Sequence, residues 1–257
     1  MMDIEAYLKR DYISNLIKDG KRLDDRRFDE YRKIGIDRGY SGAKACGSSM
    51  IHLGDTKVLV GISIDVGEPY PDNPESGVMT TSAELRPLAF SHFEAGPPSE
   101  EAIEIARVVD RGIRESGAID LEKLFIEESK VWVVFIDIHV LDHDGNLIDA
   151  SGIAAISALL STKMPKYEDG EVIYSEKKDN LPVLEKPVPC TIAKIGESLI
   201  VDPTLDEEYA MTARLTTTTT AVINAMQKGG NGSLTTDEVD RAIDLAFEKA
   251  KEIRKLL

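Results

Sequence analysis

The 257-residue chain is poor in cysteine, poor in aromatic side chains and without a long hydrophobic run. Its two cysteines, Cys46 and Cys190, stand far apart with no CxxC spacing. That argues against a disulfide framework and fits reduced, buried thiols in a cytoplasmic protein. The longest apolar run, "VWVVFI", is far too short to span a bilayer, so no membrane association is expected. The opening "MMDIEAYLKRD" carries no apolar segment of the kind a signal peptide needs. P-loop, GxSxG and GxGxxG motifs are all missing. Positive charge is scarce too: the formal net charge is -15. A surface that acidic repels phosphate on average, which argues against a free-standing nucleic-acid binder. Any contact with RNA or DNA must come from a local basic patch or from a partner. The length fits one large domain or two small ones, either with a real core.

What is present reads as alternating strands and helices. From Ile4 to Lys18, Ile4, Leu8, Ile13, Leu16 and Ile17 recur at helical spacing, predicting a helical extension over residues 1–20. A charged stretch, "KRLDDRRFDEYRKI", follows. "KACGSSMIHLGDTKVLVGISI" sets Gly54-Asp55 between two β-rich runs and predicts a hairpin. "GEPYPDNPESG" reads as a loop. "KVWVVFIDIHVL" predicts a central strand, and "DHDGN" turns the chain. "LIDASGIAAISALLSTKMP", apolar with many small residues, suits a helix packed on both sides. The polar stretch from Tyr167 to Asn180 reads as a loop. "VPCTIAKI", "ESLIVDP" and "MTARLTTTTTAVI" each read as a strand. At the C-terminus, Thr235 to Glu238 matches a capping box ahead of Val239, Ala242, Ile243, Ala246, Phe247, Ala250 and Ile253 at helical spacing. No linker divides residues 21–257, and the pattern predicts one compact α+β domain.

The stretch "EIARVVDRGIRES" stands out in so acidic a chain. Ser99 is placed to cap a helix, Glu100 and Glu101 suit its first turn, and Gly117 suits its end. On that helix Ile105, Val108, Val109 and Ile113 share one side, while Arg107, Arg111 and Arg114 fall within about 60° of one another on the other. Two readings of the arginines stand side by side. One is a salt-bridged surface helix, with Asp110–Arg114 and Arg111–Glu115 as i,i+4 pairs. The other is phosphate binding, because Arg107 and Arg111 form a like-charged i,i+4 pair that wants an anion, and guanidinium suits forked phosphate contacts.

Several stretches in order, "RLDDRRFDEYRKI", "GSSMIHLGDTKVLVGI", "FEAGPPSEEAIEIARVVDRGIRES", "VWVVFIDIHVLDHDGNLIDAS" and "LIVDPTLDEE", resemble the RNase PH family, and within it the non-catalytic RNase PH-like subunits of archaeal exosomes. The resemblance implies an RNase PH-like core of the ribosomal protein S5 domain 2-like type. It implies a place in a hexameric ring, a trimer of heterodimers in which silent and catalytic RNase PH-like subunits alternate, with RNA-binding cap proteins as further partners. Such rings shorten single-stranded RNA from its 3′ end with inorganic phosphate. On this resemblance Arg107 and Arg111 help hold RNA, with Arg114 beside them.

The same comparison implies that the chain lacks an active site of its own and needs no cofactor. Active members carry Asp-Gly-Gly-Thr-Arg after the central strand, where the arginine and nearby N–H groups grip phosphate. Here the stretch is Asp144-Gly145-Asn146-Leu147-Ile148: Ile148 offers no donor, and Asp149 adds a negative charge where an anion would bind. Of the two aspartates that active members carry on a late turn, Asp202 matches the first and Glu208 stands at the second. By residue type alone, "DPTLDEE" reads as a solvated acidic turn. His139 and His143, four apart but in a strand and a turn, do not make a zinc site. Two alternatives remain at this point: an active homomeric exoribonuclease using Asp202 and Glu208, and a ring scaffold without RNA contact.

Overall fold

The computed structural model describes residues 4–40 and 45–257. Residues 1–3 of the expected extension, the Ile4 and Leu8 side chains, and Lys44 at the head of the hairpin stretch lie outside the described residues. Helix α1 (Ile4–Lys18) has the bounds that its periodicity predicts. It buries Ile13 and Ile17 against Ala193, Ile195, Ile200 and Ala210, so the extension packs on its own chain.

Strands β1 (Ile34–Arg38), β2 (Gly47–Leu53), β3 (Thr56–Gly67) and β4 (Val78–Leu85) precede helix α2 (Glu100–Glu115). Strands β5 (Phe125–Glu127) and β6 (Lys130–Asp142) follow it. Together the six strands form one sheet of order β1-β2-β3-β6-β4, with β5 paired to β6. The β2–β3 hairpin turns at Gly54-Asp55, as expected, with Gly54 at φ +58°. The Val/Ile-rich β6 is central, antiparallel to β3 and parallel to β4. Val134, Ile136 and Ile138 alternate on it and are fully buried, because inward side chains on a strand recur every second residue.

Helix α3 (Leu147–Leu160) is buried along its length except at Leu160. Next come β7 (Lys163–Glu168) and β8 (Glu171–Asn180), then β9 (Val188–Ile195), β10 (Ser198–Val201), the short helix α4 (Leu205–Ala210), β11 (Ala213–Thr219), β12 (Ile223–Gly229) and helix α5 (Thr236–Arg254). Strands β10-β9-β11-β12 make a second, antiparallel sheet. One side of α3 lies on β2 and β3 and the other on β9, so a single apolar helix joins both sheets. Its small residues make this possible: a Cβ at Gly152 would sit 2.4 Å from Pro189 Cγ. Helix α5 covers β9 and β11, capped at Thr235 with Glu238 completing the capping box. No helix among the described residues is long and apolar enough to cross a membrane.

Four expectations need correction. The polar stretch from Tyr167 to Asn180 is not a loop; most of it belongs to the β7–β8 hairpin, closed at Asp169-Gly170, both with positive φ. An Asp-Gly pair is the turn that two-residue hairpins favour. The α3 helix stops at Leu160, where the Ser161 and Thr162 hydroxyls donate to the Ala158 carbonyl and the chain enters β7. "MTARLTTTTTAVI" is not one strand: β11 ends at Thr219 and the chain reverses before Ile223. "DPTLDEE" is neither solvated nor a simple turn, because it leads into α4, with Thr204 and Glu207 forming a capping box.

The close approach at Gly152 gives a direct test of the shared helix. Gly152→Ala is expected to destabilise the chain by about 1–3 kcal/mol through overpacking. A urea midpoint equal to the parent's would contradict close packing of α3 on β9.

Candidate nucleic-acid interface and the acid turn

Helix α2 starts at Ser99, whose Oγ accepts from the Ala102 N–H at 3.2 Å. Ile105, Val108, Val109 and Ile113 are buried, and Gly112 lets the helix close on Thr218, which a Cβ would meet at 2.9 Å. The opposite face exposes Arg107, Arg111 and Arg114. They line a shallow groove of about 290 Å³ with Thr81, Ala106, Asp110 and Glu115.

The three arginines are not equivalent. Arg114 donates to the Asp110 carboxylate through Nε at 3.0 Å and Nη2 at 3.1 Å, and to the Met79 carbonyl at 3.0 Å. The salt-bridge reading therefore holds for Asp110–Arg114. The Arg111–Glu115 pair does not form, and among the described residues the guanidinium groups of Arg107 and Arg111 have no hydrogen-bond or ion-pair partner.

Behind the helix lies the acid turn, and it is anything but solvated. Asp202 is fully buried at φ +50°. It accepts from Arg32 N at 2.8 Å, Arg32 Nε at 2.9 Å, Arg32 Nη2 at 2.8 Å, Arg26 Nη1 at 3.0 Å and Asn146 Nδ2 at 2.8 Å. Burial alone would raise its pKa, but the Arg32 guanidinium outweighs this and holds the carboxyl below its ordinary value. Glu207 takes the Arg22 guanidinium in a fork at 2.8 and 2.6 Å, with Arg22 only 2% exposed. The half-buried Glu208 accepts one bond from Asn146 N at 2.8 Å, and burial pushes its pKa up to about 7.

The turn before α3 is equally committed. Ile148 is buried beside Val108 and Val109 of α2. Asp149 is fully buried and accepts from Tyr31 Oη at 2.6 Å, Asn146 Nδ2 at 2.8 Å, Thr191 N at 2.9 Å and Thr191 Oγ1 at 2.8 Å. Burial raises its pKa to about 6. Gly145, at φ +86°, lies against the 203–205 backbone, which a Cβ would meet at 2.5 Å. His143 is stacked on Phe93 and accepts from Gly145 N at 3.3 Å; burial lowers its pKa to about 4. His139 faces Glu84 instead, so the two histidines do not converge. Both cysteines are buried free thiols, and burial raises the pKa of each.

This architecture has relatives. Residues 30–165 match the model of the 3′ exoribonuclease family, domain 1, and residues 186–249 match its domain 2. The chain belongs to the RNase PH family. It is 58% identical to exosome complex component Rrp42 of Thermococcus gammatolerans, over 100% of this chain and 97% of that protein. It is similar to a chain of the Archaeoglobus fulgidus exosome with RNA bound to the active site, at 47% identity, 98% and 99% coverage of the two chains and a TM-score of 0.92. A chain of an archaeal exosome core matches at 44% identity, 98% and 97% coverage and a TM-score of 0.88.

The arginines that hold the acid turn, Arg22, Arg26 and Arg32, were not singled out in the sequence as site residues. The available signal was their interleaving with acids in "RLDDRRFDEYR", but partners about 170–185 positions away are not legible from spacing.

Two outcomes follow for this RNase PH-family core. Glu207→Gln leaves the Arg22 charge buried without its counter-ion and is expected to cost about 3–5 kcal/mol in urea unfolding; a loss below about 1 kcal/mol would contradict the buried pair. Glu208 supplies a pH slope. Between the ordinary glutamate value and about 7 the folded chain keeps a proton that the unfolded chain has released. Stability from this group is therefore full at the acid end and is lost as pH rises through that window. Urea midpoints at about pH 5 and about pH 7.5 should fall less for Glu208→Gln than for the parent; an equal fall in both contradicts the shifted glutamate.

Proposed function

We propose that the chain is a non-catalytic subunit of an archaeal-type exosome ring, in which it structures the active site of a catalytic RNase PH-like neighbour and binds single-stranded RNA through Arg107 and Arg111. The similarity to exosome components, and to a chain of an exosome with RNA bound to its active site, supports the assembly. The observation that carries the RNA contact is the free guanidinium pair on one groove of a chain with net charge -15. Two like charges one helical turn apart are unfavourable without an anion, and a strand of phosphates supplies one. Arg114, with its Nε and Nη2 already bonded, contributes less.

Three features support a silent role. The phosphate turn offers the buried aliphatic Ile148 in place of a guanidinium. The Asp149 carboxylate is bonded within the fold. Asp202, the counterpart of a catalytic carboxylate, is taken up by Arg26, Arg32 and Asn146. Residues 21–257 act as one unit in this reading, with RNA-binding cap proteins as further partners of the ring and the cytoplasm as its compartment. The active homomeric alternative draws on Glu208, a protonatable group near neutrality, but leaves the locked Asp202 without a catalytic part.

The test is RNA binding and phosphate-dependent trimming by the ring assembled with its catalytic neighbour. Arg107→Ala with Arg111→Ala should leave assembly intact, slow trimming, and lower the slope of log K against log salt by about 0.7 for each phosphate no longer neutralised. An unchanged rate and slope favours the scaffold alternative. Phosphate-dependent trimming of oligoadenylate by the isolated chain favours the homomeric enzyme.

A further inference from the structure

Of the three guanidinium groups on the outer face of α2, one is held back. The Asp110 carboxylate accepts three hydrogen bonds: Arg114 Nε to Oδ2 at 3.0 Å, Arg114 Nη2 to Oδ1 at 3.1 Å, and Thr81 Oγ1 to Oδ1 at 3.1 Å. Arg114 Nη2 also donates to the Met79 carbonyl at 3.0 Å. Met79 and Thr81 both belong to β4, so helix and strand fix this side chain together. The pair is only partly in water, with side-chain exposures of 40% for Arg114 and 25% for Asp110. Arg107 and Arg111, on the same groove, carry no such restraint.

The edge of Arg114 that Asp110 occupies, Nε with Nη2, is an edge a phosphate would take in a forked contact. A carboxylate that fills it does two things. It neutralises one of three cations, and it removes the geometry needed for a bidentate phosphate grip. We infer that Asp110 is a positioning residue of the groove, holding Arg114 against β4 and limiting the groove to the two phosphates that Arg107 and Arg111 can take. The inference rests on the RNA reading of that pair. Its consequence is a strand held loosely. Each further phosphate gripped would deepen the binding of a strand that has to advance as it is shortened, and would make that binding more sensitive to salt.

The experiment is a salt titration of oligoadenylate binding to the ring assembled with its catalytic neighbour, with assembly checked by native mass spectrometry. Asp110→Ala releases Arg114 and is expected to steepen the slope by about 0.7, the increment for one more single-strand phosphate neutralised. Asp110→Asn, which keeps the side-chain shape, should shift it in the same direction and carries the test if the alanine variant fails to assemble. Adding Arg114→Ala to either variant should return the slope to the parent value, a reversal that a merely structural role of Asp110 would not give. An unchanged slope in both Asp110 variants, or a steeper slope that survives Arg114→Ala, overturns the inference. If Arg107→Ala with Arg111→Ala leaves the parent slope untouched, the RNA reading fails as well, and that outcome is separate from the other two.

Discussion

The five hydrogen bonds onto the buried Asp202 carboxylate tie together three segments that are remote in sequence. Arg26 and Arg32 come from the charged segment after α1, Asn146 from the turn before α3, and Asp202 itself from the end of β10. Beside it, Arg22 with Glu207 repeats the device in the first turn of α4. Buried ion pairs are weak sources of net stability, because desolvation offsets most of their attraction. What such a pair dictates is position, since any arrangement that separates the charges leaves one of them buried alone. Here the positive-φ backbone at Asn146 and Asp202, and the close approach of Gly145 to the 203–205 backbone, are held in the same constellation.

That constellation also underlies the silent role proposed for the chain. In a phosphorolytic member of the family, this corner must present a cation and free carboxylates to a substrate. Here the carboxylates of Asp149 and Asp202 are both turned to internal donors, and Ile148 faces apolar side chains of α2. Arg107 and Arg111 lie on the far side of that helix, without a partner among the described residues, over the groove. One helix thus packs on this corner with its apolar face and presents the cationic pair with the other.

Much of this was legible in the sequence, where local chemistry and periodicity agree. Helix α1 has its expected ends, Ser99 and Thr235 cap as their residue types suggest, and Gly54-Asp55 turns the first hairpin. The arginine face of α2 followed from helical geometry, although geometry could not tell that Asp110 would take Arg114 while Glu115 left Arg111 alone. The misses have physical causes. Polar composition between Tyr167 and Asn180 hid a hairpin whose Asp169-Gly170 turn was the better signal. The expected strand ran on past the reversal at residues 220–222 because Thr220, Val222 and Ile223 are β-formers that suit a strand wherever they stand. The acid turn was misjudged because acids next to proline are usually solvated, and only the fold brings Arg22, Arg26 and Arg32 across to bury them.

The most direct measurement is native mass spectrometry of the complex that this chain forms in its own cells. A ring with equal numbers of this chain and a second RNase PH-family chain is the expected result, and it places the chemistry in the neighbour. A ring built of this chain alone would contradict the silent-subunit account, because RNA would then be processed without the neighbour, or not at all.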